Sequence, residues 1–231
     1  MEIIDHNHRY FKQKWLKLKN GDQYNGAYYY SQEIVDNIIP NVHTEKPWNW
    51  MTVTVAPIAK DRTVFFVHDN TGKLWKNFEC LKSRKQFVFV CSWEGTVNRL
   101  KKRGFKNVIY LPLSVDVEYV KQFRIPEKTK EAAFCGRRAA LRRDIQYKRI
   151  PPGVDYICGL PREKFLQKMA QYKTVYAVGR CAIEAKILGC EVGVYDSRRP
   201  DPNYWKILDN RVAAKMLERK LNELDEKWAE K

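Results

Sequence analysis

Two short stretches carry residues whose types and spacing suit chemistry. In "FCGRRAALRR" an apolar run ends at Gly136 and is followed by Arg137, Arg138, Arg142 and Arg143. A diphosphate or a nucleic-acid backbone calls for such a set. Glycine exposes backbone N–H groups, and each guanidinium can bond two phosphate oxygens at once. In "VGRCAIEAKILGC" a single carboxylate, Glu184, sits on a small-residue helix beside Ala182, Ile183, Ala185, Ile187 and Leu188. That company implies cover by protein, where an unpaired carboxylate is costly. Glu184 therefore either turns to solvent beside Lys186 or has a polar partner to hold. A carboxylate near the start of a helix, at the end of a strand, can accept hydrogen bonds from two adjacent ribose hydroxyls. Gly179, with the small residues Cys181 and Ala182, would let a ligand approach the backbone closely. Gly179, Arg180 and Glu184 are thus the candidate residues of this stretch.

The elements that must position these residues follow from periodicity. "SQEIVDNIIPNV" has helical spacing with Ser31 as N-cap, and "MTVTVAP" and "RTVFFVHDN" are β-branched or aromatic runs expected to be strands. "GKLWKNFECLKSRK" and "WEGTVNRLKKRG" are expected helices, alternating with the strands "QFVFVCS" and "NVIYLPLS". After the charge-rich "VEYVKQFRIPEKTKE" the alternation resumes. The strands "AAFCG", "VDYICG", "TVYAV" and "EVGVYD" are separated by the Arg-rich segment and the helices "PREKFLQKMAQY" and "AIEAKILG". From Asn203 to Lys231, Trp205, Leu208, Val212, Met216 and Leu221 keep one helical period. Strands alternating with helices of this length imply parallel sheets with covering helices. The expected fold is α/β, with two lobes and a long C-terminal helix. The expected boundaries are residues 1–118, a linker at 119–130, a second lobe at 131–202 and the helix at 203–231.

Bulk properties narrow the partners. The chain has 231 residues, enough for one ordinary domain or two small ones, and 43 basic against 27 acidic residues give a net charge of +16. Such an excess attracts polyanions: nucleotide phosphates, nucleic acid or an anionic membrane face. No apolar run approaches a membrane span and the first residues contain no signal-type core, so a soluble, cytoplasmic protein is expected. The six cysteines make no C-x-x-C pair, which favours reduced, buried thiols. His6, His8, His43 and His68 show no metal-ligand spacing, so no protein-bound metal is expected.

Taken in order, "CGRR" and then "GLPREKFLQKMAQYKTVYAVGRCAIEAKILGCEVGVYD" resemble the C-terminal nucleotide-sugar lobe of GT-B glycosyltransferases. Upstream, "FVCSWEGTVNRLKKRGFKNVIYLPLSVD" is similar to that family's run into the crossing between lobes. The resemblance covers most of residues 60–200 as a pattern of elements more than of identities. It implies two Rossmann-like lobes, an acceptor side at 1–118 and a donor side at 131–202. It also implies that Gly136, Arg137 and Arg142 face the diphosphate of a UDP- or GDP-hexose donor, with Glu184 on the ribose. No tightly bound cofactor is expected. "NGAYYYS" resembles the family's glycine loop beneath the donor sugar, which brings in Gly26. His68 and Asp69, at the end of "TVFFV", stand where a general base could meet an acceptor hydroxyl. Many members carry a second glutamate eight positions before the ribose glutamate, where this chain has Tyr176. A lysine common after the Gly-Arg is absent too, with Arg142 or Arg143 in its stead.

Donor binding accounts for the arginine cluster but not for sixteen excess charges. A polyanionic acceptor accounts for them better. Trp48 and Trp50 in "EKPWNWMT", and Tyr28 in "AYYYSQ", offer rings for stacking on bases. The expected activity is therefore hexose transfer to a hydroxyl on nucleic acid, such as hydroxymethylated pyrimidine in DNA. Compact enzymes of that sort are encoded by viruses of bacteria, and the chain is expected in the cytoplasm of a bacterium or a virus-infected host. A transferase for a cell-surface polymer or lipid-linked acceptor, docking peripherally on anionic lipid, is the second expectation. A non-catalytic nucleotide- or nucleic-acid-binding module is the third.

Overall fold

The computed structural model describes residues 33–52, 61–67, 86–135, 150–193, 195 and 201–230. Ser31, the helix expected at "GKLWKNFECLKSRK" and the arginine-rich segment after Cys135 lie outside them. The chain divides into two compact units. The first takes in Ile38–Pro112 and the chain from Arg211 onward, and the second takes in Leu113–Asn210 with the segment just before Ile38.

In the first unit, β1 (Asn49–Thr52), β2 (Thr63–Val67), β3 (Phe87–Cys91) and β4 (Val108–Tyr110) form a parallel sheet in that spatial order. Every residue of β2 and β3 is buried, as in central strands covered on both faces, which is why their sequences run apolar without alternation. Helix α1 (Glu94–Lys102) follows β3 and buries Thr96, Val97 and Leu100. It stops at Gly104, whose φ of +88° suits glycine. Phe105 N–H then donates to Leu100 C=O at 3.2 Å, and its ring packs edge-on against Phe89 with centroids 4.9 Å apart. The helix end is thus tied into the core of Phe65, Phe87 and Phe89.

In the second unit, β5 (Lys130–Cys135), β6 (Asp155–Ile157), β7 (Tyr172–Tyr176) and β8 (Glu191–Gly193) form another parallel sheet, ordered β6-β5-β7-β8. Helix α2 (Val117–Lys121) precedes β5, with Asp116 accepting from Tyr119 N–H at 2.9 Å as its N-cap. The charge-rich stretch at 119–130 therefore belongs to this unit and begins as a helix. Helix α3 (Arg162–Met169) joins β6 to β7, and α4 (Arg180–Ile187) joins β7 to β8. Strand order progresses without reversal in the first sheet, whereas in the second it reverses between β5 and β7. Two all-parallel four-stranded sheets and a long C-terminal helix thus realise the expected α/β class.

Two elements differ from expectation. The segment after Glu33 is a π-helical turn, Ile34–Ile38, followed by a 3-10 turn, Ile39–Asn41. Pro40 has no N–H to continue an i to i−4 ladder, and Val42 N–H closes back on Ile39 C=O at 3.1 Å. The C-terminal helix, α5 (Asn210–Ala229), starts later than Asn203. Leu208 C=O accepts from Val115 N–H and Asn210 N–H donates to Val115 C=O, both at 3.1 Å, which holds Asp209 in a bridge with extended backbone. No described helix is long and apolar enough to cross a membrane.

Candidate functional site

The chain leaves β7 and enters α4 through Gly179, at φ +64° and ψ −137°. Only glycine adopts this conformation cheaply. A Cβ there would meet only Leu113 Cδ1 at 3.6 Å, so the constraint is on the backbone rather than on space. Arg180 follows as the first helical residue and is only 6% exposed. Its Nε donates to Glu184 Oε1 at 2.5 Å, and its terminal NH2 donates to Glu33 Oε1. Arg162, the first residue of α3, puts a guanidinium nitrogen 2.7 Å from the same Glu184 Oε1. Glu33 Oε2 accepts from Asn37 Nδ2 at 3.0 Å and from Asn210 Nδ2.

Glu184 therefore faces neither solvent nor an empty core. It is 1% exposed and holds two guanidiniums, while Glu33, 8% exposed, holds the second valence of Arg180. Among the described residues, the guanidiniums of Arg162 and Arg180 are thus set against the carboxylates of Glu33 and Glu184. Burial works against the charge of Arg180, but Glu184 and Glu33 outweigh it and raise its pKa. A cation in the first turn opposes the helix dipole, and both α3 and α4 begin with one. The two carboxylates offset this, and they draw the N-termini of both helices together at the carboxyl edge of the sheet.

The opposite ends of the same helices share one lysine. Lys128 Nζ donates to Ala170 C=O at 2.8 Å and to Leu188 C=O at 2.6 Å, the C-cap residues of α3 and α4. Here the sign suits the dipole. Lys186, the other neighbour weighed for Glu184, donates instead to Trp205 C=O at 2.8 Å. Tyr176 lays its ring across β8: a Cβ built on Gly193 would lie 2.5 Å from Tyr176 Cδ1.

Of the residues singled out in the sequence, Gly179, Arg180 and Glu184 come together in this cluster. Gly26, Tyr28, His68, Asp69, Gly136, Arg137 and Arg142 lie outside the described residues. Trp48 and Trp50 belong to the first unit and are buried, at 5% and 9% exposure. Trp48 packs against Trp228 of α5 with centroids 5.8 Å apart, under the Arg62 guanidinium at 4.3 Å. Arg62 also forks onto Asp225 at 2.6 and 2.8 Å. Trp50 stacks on Phe66 at 6.1 Å. Burial pushes the thiols of Cys91 and Cys181 up to about 12 and that of Cys135 well above its usual value, so these cysteines stay protonated and inert as nucleophiles. Among the described residues no group of His, Cys, Asp or Glu gathers that could hold a metal ion.

Sequence reasoning missed Glu33, Arg162, Asn210 and Lys128. One signal was present: Arg180 and Glu184 stand four apart on a helix, the spacing of a facing ion pair. Searched against protein-family models and characterised proteins, the sequence matches none.

Proposed function

We propose that the chain is a nucleotide-sugar-dependent glycosyltransferase of GT-B type, moving a hexose from a UDP- or GDP-hexose to a hydroxyl on nucleic acid. One observation carries this reading. In the second sheet the strand order reverses between β5 and β7, and ligands of open parallel sheets bind outside the carboxyl ends of strands at such a reversal. Each of these two strands leads into a Gly-Arg pair, Gly136-Arg137 after Cys135 and Gly179-Arg180 after Tyr176 and two further residues.

In this reading Arg137 and Arg142 bind the diphosphate and neutralise the charge it gains as the bond to the sugar breaks. The acceptor oxygen forms the new bond and gives its proton to His68 or Asp69. Glu184 serves twice. Its carboxylate holds Arg162 and Arg180, and with acceptor capacity for about four hydrogen bonds it takes the ribose hydroxyls as well. A ribose reaches it only when a covering side chain moves, since Glu184 is 1% exposed. That closure favours a second reading, a nucleotide- or nucleic-acid-binding module without transfer.

The test is incubation of the intact chain with a panel of UDP- and GDP-hexoses and hydroxymethylated DNA, read by mass spectrometry of the DNA. A hexose mass on the DNA supports transfer. Nucleotide binding with neither transfer nor donor hydrolysis supports the module.

A further inference from the structure

Helix α1 turns Thr96, Val97 and Leu100 into the core of the first unit and leaves Asn98, Arg99, Lys101, Lys102 and Arg103 outside. Lys106 is exposed just past the Gly104 turn. From Arg99 to Lys106 there is no acidic residue. Basic side chains in a last helical turn complement the dipole, but Arg99 stands three and four positions from Lys102 and Arg103, where like charges repel. Lys101, Lys102 and Lys106 form no ion pair among the described residues. Between Asn98 and Lys106 no apolar side chain is exposed, since Leu100 and Phe105 are buried. A helix that lies in a lipid surface needs such residues, whereas a helix that meets a phosphate backbone does not.

We infer that the C-terminal half of α1 and the turn after it form a docking face for the sugar-phosphate backbone of nucleic acid. The contacts are electrostatic and blind to sequence. Because α1 runs from the end of β3 to the start of β4, this face lies at the amino edge of β4. That edge is opposite the one where ligand crevices form, so the face holds a polymer without entering a reaction crevice. It serves the acceptor of the proposed reaction and rests on the nucleic-acid part of that reading.

The experiment measures binding of a labelled random-sequence DNA duplex to the full chain across a salt series. The triple variant Lys101→Gln, Lys102→Gln, Lys106→Gln is compared with a control triple, Lys164→Gln, Lys215→Gln, Lys227→Gln, which removes the same charge from exposed positions elsewhere. Each phosphate contact contributes about 0.9 to the slope of log K against log salt, so the α1 triple lowers the slope by roughly 2–3. The control leaves it unchanged, and both variants keep the wild-type melting temperature. Equal losses in the two triples would overturn the inference, as would failure of the wild type to bind DNA, or binding to phosphatidylserine vesicles in its place. DNA binding that depends on α1, in a chain that binds no nucleotide or nucleotide sugar, would sink the transferase and leave the docking face standing.

Discussion

Glu184 pairs with both Arg162 and Arg180 in the cluster, and Glu33 pairs with Arg180. Without Glu33, Arg180 and Arg162 would share the one carboxylate of Glu184, leaving a buried positive charge in excess, which costs about 3–5 kcal/mol. Glu33→Gln, which keeps the size and loses the charge, should lower the unfolding free energy by about that amount in a urea titration; an unchanged midpoint would show that Glu33 is dispensable. A second residue-scale effect depends on pH. Tyr172 O–H donates to Asp155 at 2.7 Å, and this bond, with Lys130 nearby, lowers the Asp155 pKa against a smaller effect of burial. A depressed carboxylate pKa means that the unfolded chain binds the proton more tightly. The stabilisation is complete above the ordinary carboxylate value of about 3.9 and fades as pH falls through the lower folded value. The stability gap between wild type and Tyr172→Phe should therefore narrow on acidification below that value, and a gap independent of pH would rule the bond out as its source. At this scale the sequence was legible only locally. It left Glu184 either turned to solvent beside Lys186 or holding a polar partner, with Arg180 four residues away, but Glu33 is 147 residues from Arg180, and nothing in local pattern can report such a contact.

At the scale of elements, α3 and α4 are fastened at both ends, by Glu184 where they start and by Lys128 where they stop. Hydrogen bonds from a charged donor contribute about 1.5–3 kcal/mol. Lys128→Met keeps the stem and loses both bonds, and should destabilise the second unit by about 2–4 kcal/mol in denaturant, on that scale with partial replacement by water. A loss within error would mean that water satisfies those carbonyls equally well. The strands were legible because central parallel strands are apolar on both faces, as in "TVFFV" and "FVFVC". The boundaries were less so. Trp205 and Leu208 keep a helical period with α5, yet a 3-10 turn at Pro202–Tyr204 and the bridge between Val115 and Asp209 keep the chain out of the α-helix until Asn210. The spacing of "SQEIVDNIIPNV" is helical, but the π-turn and the 3-10 turn it adopts have no local signature.

At the scale of the whole molecule, the chain leaves its first unit after Pro112 and rejoins it at Arg211. A fragment ending at residue 118 would lack α5, and with it Trp228 against Trp48, Asp225 on Arg62, and the buried Ala213, Leu217 and Leu221. Such a fragment should fail to give a cooperative melting transition alone and regain one when residues 203–231 are fused to it. A cooperative fragment without the helix would contradict the division. The net charge of +16 favours anionic partners without choosing among them. The central claim is that an anionic nucleotide binds where the second sheet reverses. Calorimetric titration of UDP and GDP into the intact chain and into Arg137→Gln tests it most directly. Saturable binding of one nucleotide by the wild type is predicted, weakened roughly tenfold or more in the variant as charge-assisted bonds are lost, with the melting temperature of the free protein unchanged. No binding of either nucleotide at millimolar concentration, or equal binding by Arg137→Gln, would contradict it.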